Sequence, residues 1–324
     1  MNDYLLNVKE LQTRFHSRNR YIYAVNKVSF ALKKGETLGV VGESGCGKSV
    51  SMMSMLKLLP NSAEIVNGQA LFNGQDLIQM NGKQIQKVRG SQVSMIFQDP
   101  MTSFNPVLTL GDQLTEPLIV HRKVSKKEAT DRVTELLHVV GIADPASRIK
   151  DYPHQFSGGM RQRAMIAMAL ACDPAVVIAD EPTTALDVTI QAQILQLVKK
   201  LRANMGLSII WITHDLSLVA GLADRIIVMY GGRVVEEATT EDLFDHPLHP
   251  YTRGLLMSLP AFQTENMFRR LSSIPGSPPD LKEYPNFCPF YPRCNHRISV
   301  CSQSLPELKE ISSEHSVACF MDNF

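Results

Sequence analysis

One glycine-rich segment constrains the fold of this chain more than any other part of its sequence. The segment GESGCGKS, residues 42–49, matches the pattern G-x-x-x-x-G-K-S, in which backbone N–H groups surround phosphate oxygens. It follows a strand-like run, residues 37–41, and precedes a predicted helix over Val50–Leu59 that Pro60 would end. The order strand, glycine-rich loop and helix predicts a parallel α/β core that places a phosphate at the helix N-terminus.

The chemistry of this loop predicts its contacts with a nucleotide and a metal ion. Lys48 would reach the β- and γ-phosphates, and the Ser49 hydroxyl would bind Mg²⁺. Cys46 occupies a position where the pattern accepts any residue, so we interpret it as a tolerated small side chain rather than a redox centre. The residues of this segment that we assign to ATP are Gly42, Ser44, Gly45, Cys46, Gly47, Lys48, Ser49 and Val50.

Two carboxylates follow a second apolar strand, which is predicted over Ala175–Ala179. Asp180 lies at the strand end and suits the Mg²⁺ shell, while Glu181 is placed to polarise the attacking water as general base. Acidic residues often end a strand as solvated groups, but after a phosphate-binding loop the catalytic interpretation is favoured. The core is predicted to be doubly wound, with strands at 207–213 and 225–230 and helices at 189–205 and 216–222.

The segment FSGGMRQR, residues 156–163, lies just upstream of the acidic strand and resembles the signature motif of ABC ATPases. It departs from that motif at Phe156, where Leu is usual, and at Met160, where Gln is usual. Other segments resemble further motifs of the family in the expected order: the Q-loop at Gln98, the D-loop at 185–187 and the switch histidine at His214. The resemblance covers roughly residues 5–260.

This resemblance implies the fold and the domain organisation. The fold would be α/β, with a P-loop NTPase (ABC ATPase) core, an N-terminal antiparallel β subdomain, an inserted α-helical signature subdomain and a small C-terminal cysteine-rich extension. The ATP-binding domain would span 1–260, its helical subdomain about 92–165, and the extension 261–324. In this family two subunits face head to tail, so that the signature of one completes the ATP site of the other.

The resemblance also assigns roles to single side chains. Glu181, His214, Gln98 and Lys48 would be catalytic, and the Mg²⁺ ion would be bound by Ser49, Gln98 and Asp180. Ser157, Gly158 and Gly159 would contact the γ-phosphate held by a second subunit. Near the N-terminus the family places an aromatic ring on adenine; Phe15, expected just after the first strand, is our candidate, and Tyr23 is the alternative.

Two stretches outside the ATP motifs, FQDPMTSFNP at 97–106 and HPYTRGLL at 249–256, resemble the oligopeptide and dipeptide importers. They imply an ATPase subunit that energises import of dipeptides or oligopeptides, although relatives in this branch carry nickel, glutathione or oligosaccharides. The implied partners are a second ABC ATPase subunit, expected to be a paralogue in a heterodimer, two transmembrane permease subunits and, indirectly, an extracytoplasmic solute-binding protein. The expected location is the cytoplasmic face of the cell membrane.

Charge and hydropathy patterns weigh against other classes. Lys and Arg total 33 against 32 Asp and Glu, so no basic field suited to nucleic acid is expected. Only about 110 residues separate Lys48 from Ser157, too few for the long coiled coil of ABC ATPases that act on DNA. The intact catalytic set argues against a non-catalytic regulatory partner. No apolar run approaches the length of a spanning helix, and Met1–Tyr4 opens without the basic stretch of a secretory signal.

Four cysteines, Cys288, Cys294, Cys301 and Cys319, crowd the last forty or so residues, a pattern that favours metal over disulfides in a cytosolic chain. The cluster resembles one that is associated with a [4Fe–4S] centre in those importers. Four thiolates suit iron–sulfur or zinc; the absence of tight C-x-x-C pairs favours iron–sulfur, then zinc, then unliganded thiols. His296 and His315 are expected at the surface. Periodicity fades after Leu259, which predicts an irregular tail that a metal centre would hold in place.

Overall fold

The computed structural model describes residues 4–18, 20–184, 186–259, 273–284 and 286–321. The chain divides into two compact units. The first comprises Met1–Lys33, Thr37–Gln79 and Thr213–Phe324, and the second comprises Lys34–Glu36 and Met80–Ile212. Among the described residues, no helix combines the length and the apolar character that a bilayer crossing requires.

Strands and helices alternate through much of the chain, as the sequence pattern predicts for an α/β protein. The strands are β1 (Tyr4–Ser17), β2 (Arg20–Lys33), β3 (Thr37–Val41), β4 (Ala63–Phe72), β5 (Gln75–Asp76), β6 (Val93–Ile96), β7 (Val176–Asp180), β8 (Ser208–Thr213), β9 (Arg225–Tyr230), β10 (Arg233–Thr239), β11 (Lys309–Ser312) and β12 (His315–Val317). The helices are α1 (Lys48–Met55), α2 (Gly82–Val88), α3 (Pro100–Ser103), α4 (Leu110–Pro117), α5 (Lys126–Val139), α6 (Pro145–Arg148), α7 (Gly158–Leu170), α8 (Val188–Met205), α9 (Leu216–Ala220), α10 (Thr240–Asp245) and α11 (Pro250–Met257).

The first unit contains two sets of paired strands. One is antiparallel, in the order β2-β1-β4-β5, and buries Leu6, Val8 and Leu11 of β1 on one side. The other runs β11-β12-β10-β9-β3, and in it β3 pairs parallel with β9. Every residue of β3 is buried, which explains why this strand does not alternate apolar and polar residues. The 42–49 loop therefore follows the end of a fully buried strand.

The C-terminal tail contains regular structure that the sequence did not predict. β12 pairs antiparallel with β10, with Glu236 opposite Val317, and the Ala318 N–H donates to the carbonyl of Val235 over 2.8 Å. The expectation of an irregular tail is therefore wrong for these residues. The cause lies in pairing between segments distant in sequence, because such short strands show no clear periodicity of their own.

The second unit contains the parallel strands β8-β7-β6 and helices α2 to α8. Helix α5 is amphipathic and buries Ala129, Val133 and Leu137 on one face. Its start is fixed by a capping box, in which the Ser125 and Glu128 side chains each accept a hydrogen bond from the other residue's backbone N–H. The segment 99–106 contains the short helix α3, which Asp99 caps by accepting a hydrogen bond from the Met101 N–H.

Two helices end earlier than the sequence predicts. Helix α1 ends at Met55 rather than Leu59 because Lys57 adopts a left-handed conformation, with φ of 53°, that ends the helix before Pro60. Helix α9 ends at Ala220, one residue before Gly221, rather than at Leu222. The predicted existence and order of these helices are correct, and only their boundaries differ.

Candidate functional site

Glycine is required at two positions of the 42–49 loop because the backbone passes close to neighbouring strands. Gly47 has φ of 100°, and a Cβ there would lie 2.3 Å from the carbonyl oxygen of Ala24 on β2. A Cβ at Gly42 would lie 2.2 Å from the carbonyl oxygen of Met229 on β9. Ser44 and Gly45 are exposed at the tip of the loop. The structure thus accounts for the outer glycines of the motif by close packing.

The Lys48 side chain is buried and folds back over the loop. Its Nζ donates to the carbonyl oxygens of Gly42, at 2.7 Å, and Glu43, at 3.0 Å. Helix α1 begins at Lys48, and its N-cap Gly47 offers no side chain to the first N–H groups. Such a helix start, followed by the half-buried Ser49 and Val50, is arranged to bind an anion through backbone N–H groups. Cys46 is buried, and burial raises the pKa of its thiol, as expected of a packed rather than a reactive side chain.

In the second unit, Gln98 and Glu181 lie in direct contact. Gln98 Nε2 donates to Glu181 Oε2 over 3.1 Å, and the Thr184 hydroxyl donates to the same oxygen over 2.9 Å. Glu181 has φ of 43°, a left-handed conformation that is costly for a residue with a side chain and is often found at functional sites. Asp180, just before it, is buried. Thr184 was missed by the sequence reasoning, although its spacing of three residues from Glu181 was a usable signal.

The candidate signature residues form an exposed helix start in the same unit. Ser157 is the N-cap of α7, and its hydroxyl accepts a hydrogen bond from the Met160 N–H over 3.3 Å. Gly158 is exposed, while a Cβ at Gly159 would lie 3.0 Å from Cγ2 of Ile190. Ala185 of the predicted D-loop lies outside the described residues. The helix start thus presents a hydroxyl and N–H groups outward, which suits an anion.

Two further candidates lie in the first unit. His214 directly follows β8 and is exposed. Phe15 lies inside β1, paired with Ile22 and Ala63, and not after the strand as the sequence suggested, because β1 continues to Ser17. The alternative, Tyr23, contacts the Tyr284 ring edge-on at 5.5 Å. The first unit thus carries the 42–49 loop, Phe15 and His214, and the second carries Gln98, Asp180, Glu181 and residues 157–159.

A residue outside the expected ATP motifs also contacts the loop. The Glu43 N–H donates to the Tyr251 hydroxyl over 2.9 Å, and Tyr251 is fully buried on α11. Tyr251 belongs to the HPYTRGLL stretch, which the sequence reasoning placed outside the ATP chemistry. Burial raises the pKa of Tyr251, so its hydroxyl stays protonated. That stretch therefore helps to position the 42–49 loop.

The tail cysteines lie in the first unit, with Cys288, Cys294 and Cys301 buried and Cys319 half-buried. The Cys288 N–H donates to the carbonyl of Cys301 over 3.0 Å, and burial raises the pKa of the Cys288 thiol to about 11. The backbone N–H of His296 donates to the sulfur of Cys294 over 3.3 Å. Within the described ranges, however, no three His, Cys, Asp or Glu side chains are placed to hold a metal ion.

The two histidines near the cysteines differ in their surroundings. His296 is exposed, as predicted. His315 is buried, which corrects the expectation that it lies at the surface. Its Nε2 lies 2.8 Å from Oε1 of Glu236, a carboxylate with no exposed surface on β10. The reason is the pairing of β12 with β10, which carries His315 into the interior.

Comparisons with known proteins place the chain in a family. Residues 25–184 match the ABC transporter family, and residues 235–301 match the oligopeptide/dipeptide transporter C-terminal region. The chain is 51% identical to the dipeptide transport ATP-binding protein DppD of Bacillus subtilis, covering 98% of this chain and 95% of that protein. It is 48% identical to the oligopeptide transport ATP-binding protein OppD of Escherichia coli, covering 98% and 93%.

A solved structure supports the same assignment. The dimeric ATP-binding cassette MJ0796, bound to ADP and Pi, matches with a TM-score of 0.65 and 28% identity, covering 72% of this chain and 98% of that one. The chain therefore belongs to the ABC transporter ATP-binding family.

Proposed function

We propose that the chain is the ATP-hydrolysing subunit that energises an ABC importer of dipeptides or oligopeptides. The observation that carries the proposal is the similarity to DppD and OppD over nearly the whole chain, including the C-terminal region that lies outside the ATP motifs. The phosphate-binding loop and the Gln98–Glu181 contact supply the chemistry. ATP and Mg²⁺ are the cofactors that this chemistry requires.

The proposed reaction is hydrolysis of ATP to ADP and phosphate. The N–H groups of the 42–49 loop and Lys48 would bind the phosphates, and Ser49, Asp180 and Gln98 would hold Mg²⁺, which neutralises charge on the phosphate oxygens. Glu181 accepts a proton from water as the water oxygen attacks the γ-phosphorus and the bond to the β-phosphate oxygen breaks. Gln98 and Thr184 orient the Glu181 carboxylate through its Oε2. His214 contacts the γ-phosphate and the attacking water.

The exposed start of α7 supports a second proposal, that each ATP is enclosed by two subunits. Ser157 and Gly158 point a hydroxyl and N–H groups away from their own unit, as an anion on a partner would require. The partner is a second ABC ATPase, proposed to be a paralogue, and the dimeric relative MJ0796 bound to ADP and Pi supports this arrangement. Two transmembrane permease subunits hold the pair at the cytoplasmic face of the membrane, with a solute-binding protein acting indirectly.

The third proposal is a [4Fe–4S] cluster held by Cys288, Cys294, Cys301 and Cys319, with zinc as the alternative. Support comes from the burial of three of the thiols and from the His296 N–H, which donates to the sulfur of Cys294, since such donors are a common feature of iron–sulfur sites. The described residues bring no three His, Cys, Asp or Glu side chains together as metal ligands. The proposal therefore rests on the donor chemistry, since four thiolates suit a four-iron cluster or tetrahedral zinc. A bound cluster would supply the tail with covalent cross-links.

Co-purification and reconstitution test the main proposal. The full chain is purified with its native partners, placed in liposomes, and its ATPase rate is measured with dipeptides or oligopeptides and the co-purified solute-binding protein. We expect peptides to stimulate hydrolysis, whereas nickel, glutathione and oligosaccharides do not. Stimulation by one of those other solutes alone would contradict the peptide assignment, and recovery without permease subunits would contradict the role in transport.

A further inference from the structure

Arg293, in the cysteine-rich tail, makes a bidentate ion pair with Glu43 of the phosphate-binding loop. Its Nη1 and Nη2 lie 2.8 and 3.0 Å from Oε2 and Oε1 of Glu43. The Arg293 side chain is only 5% exposed and that of Glu43 is 25% exposed. A bidentate guanidinium–carboxylate pair fixes both the position and the orientation of the carboxylate, whereas a single hydrogen bond fixes its position alone.

The remaining donors of Arg293 are also engaged, so the guanidinium cannot easily turn. Nε donates to the carbonyl of Pro275 over 2.9 Å, and Nη1 also donates to the Tyr230 hydroxyl over 3.2 Å. Phe290 packs edge-on against the Tyr230 ring at 5.2 Å. The tail thus reaches the loop through a buried polar and aromatic cluster and not through a surface contact.

Glu43 is held at each of its polar groups. Its carboxylate binds Arg293, its N–H binds the Tyr251 hydroxyl, and its carbonyl accepts from Lys48 Nζ at 3.0 Å and from the Cys46 N–H at 3.3 Å. Lys48 is the cation that the loop offers to phosphates. The position of Arg293 is therefore linked to that of Lys48 through one residue.

Charge gives a second reason for the pair. A carboxylate inside a phosphate-binding loop repels the triphosphate, and the repulsion is strong because the pair is partly shielded from water. Arg293 neutralises that carboxylate at hydrogen-bonding distance. Without Arg293, the loop would present an uncompensated negative charge to an anionic ligand.

We infer that Arg293 is a positioning residue of the nucleotide site, which orients and neutralises Glu43 so that the phosphate-binding loop accepts ATP. The inference rests on the proposed binding of ATP at this loop. If Arg293 has this role, the cysteine-rich tail contributes directly to ATP binding. Its role is electrostatic as well as steric, and this distinguishes it from simple docking of the tail.

Four variants of the full chain test the inference through equilibrium binding of Mg-ATP. Arg293→Met should weaken ATP binding about tenfold, a typical size for coupling within one hydrogen-bonded network. Glu43→Gln, whose amide keeps the size of the side chain without its charge, supplies the reference affinity for the double variant. The double variant Glu43→Gln with Arg293→Met should bind close to Glu43→Gln, because the repelling charge is gone. Arg297→Met is the matched control, an exposed tail arginine whose guanidinium lies 5.8 Å from the Tyr291 ring.

The outcomes separate the possibilities. Equal affinity of Arg293→Met and Arg297→Met would overturn the inference. A double variant as weak as Arg293→Met would also overturn it, since the loss would then come from misplacement of the tail and not from the charge. If Arg293→Met does not fold, Arg293→Gln, which also removes the positive charge but keeps a hydrogen-bond donor, serves instead and should bind ATP more weakly than wild type. Failure of the wild-type chain itself to bind ATP would count against the proposed function, and is thus distinguishable from these results.

Discussion

Gln98 and Glu181 are joined by a hydrogen bond of 3.1 Å between Nε2 and Oε2, although 83 residues separate them in sequence. The contact arises because β6 and β7 are parallel neighbours, so residues just beyond their carboxyl ends meet at one edge. The amide and the Thr184 hydroxyl donate to the same oxygen, so two hydrogen bonds converge on Oε2 of Glu181. These two hydrogen bonds fix the orientation of the Glu181 carboxylate.

The first prediction concerns this carboxylate. Glu181→Gln should keep Mg-ATP affinity within about twofold and lower the hydrolysis rate about 10²–10⁴-fold, because an amide cannot accept a proton from water. Hydrolysis is measured in the complex with its partners. Glu310→Gln, at an exposed site on β11, is the matched control and should hydrolyse ATP normally. Turnover of Glu181→Gln at the wild-type rate would show that another group is the base.

The second prediction concerns the adenine ring. Phe15→Ala should weaken ATP binding about tenfold by removing a stacking surface, while affinity for inorganic tripolyphosphate, which has no base, should not change. Tyr23→Ala should have a smaller effect on ATP, since the Tyr23 ring already packs against Tyr284. A larger loss from Tyr23→Ala, confined to ATP, would transfer the assignment to Tyr23.

Local motifs could be read from the sequence because each depends on neighbouring residues. The loop at 42–49 and its preceding strand β3 were both predicted from spacing and residue type. Contacts made by distant segments could not be read in this way. Arg293 and Glu43, which form an ion pair, are 250 residues apart in sequence. No pattern in the residues around either one predicts this contact. Strand β12 was missed because its pairing with β10, not its own pattern, makes it a strand.

The third prediction tests the shared ATP site. Ser157→Arg should leave ATP binding to the isolated chain unchanged, because Ser157 would serve the nucleotide held by the partner. In the assembled complex, hydrolysis should fall at least about tenfold, since the bulky cation replaces a hydroxyl aimed at the γ-phosphate. Equal loss of ATP affinity in the isolated chain would refute this division of labour.

A matched control separates this effect from loss of a helix cap. Ser125 is the N-cap of α5, exposed like Ser157 and in the same unit. Ser125→Arg should cost about 1 kcal/mol of stability, as Ser157→Arg should. Only Ser157→Arg should lower hydrolysis in the complex.

The fourth prediction concerns pH and the buried His249, whose Nδ1 accepts a hydrogen bond from the Tyr251 N–H at the start of α11. Burial lowers the pKa of His249 from 6.5 to about 4, partly opposed by the carboxylate of Glu236. Between these values the unfolded chain binds a proton that the folded chain does not, so the free energy of unfolding falls as pH falls. From pH 7 to pH 5 this group alone should remove about 2 kcal/mol.

Urea unfolding of wild type and His249→Asn at both pH values measures this contribution. Asparagine keeps an acceptor for the helix cap but does not titrate, so its free energy of unfolding should depend less on pH by about that amount. Parallel pH dependences of the two proteins would mean that His249 is not neutral in the folded state.

The last prediction concerns the tail cysteines. Anaerobically prepared protein should be brown, with about four irons and four acid-labile sulfides per chain, as a cluster held by Cys288, Cys294, Cys301 and Cys319 requires. Cys288→Ser should lose the colour and expose residues after Phe287 to protease, because the cluster cross-links this segment. Cys172→Ser, at a buried thiol in the second unit, is the control and should keep the cluster.

The effect of Cys288→Ser on ATP binding distinguishes two views of the tail. The tail cysteines and Lys48 lie far apart along the chain, so the sequence alone predicts that Cys288→Ser leaves nucleotide binding unchanged. In the structure, Cys288 and Cys294 flank the turn that carries Arg293, and Arg293 holds Glu43 beside Lys48. Loss of the cluster should therefore weaken ATP binding together with tail order. A colourless anaerobic preparation with one zinc per chain would refute the iron–sulfur assignment, and unchanged protease resistance and ATP affinity in Cys288→Ser would refute the structural role.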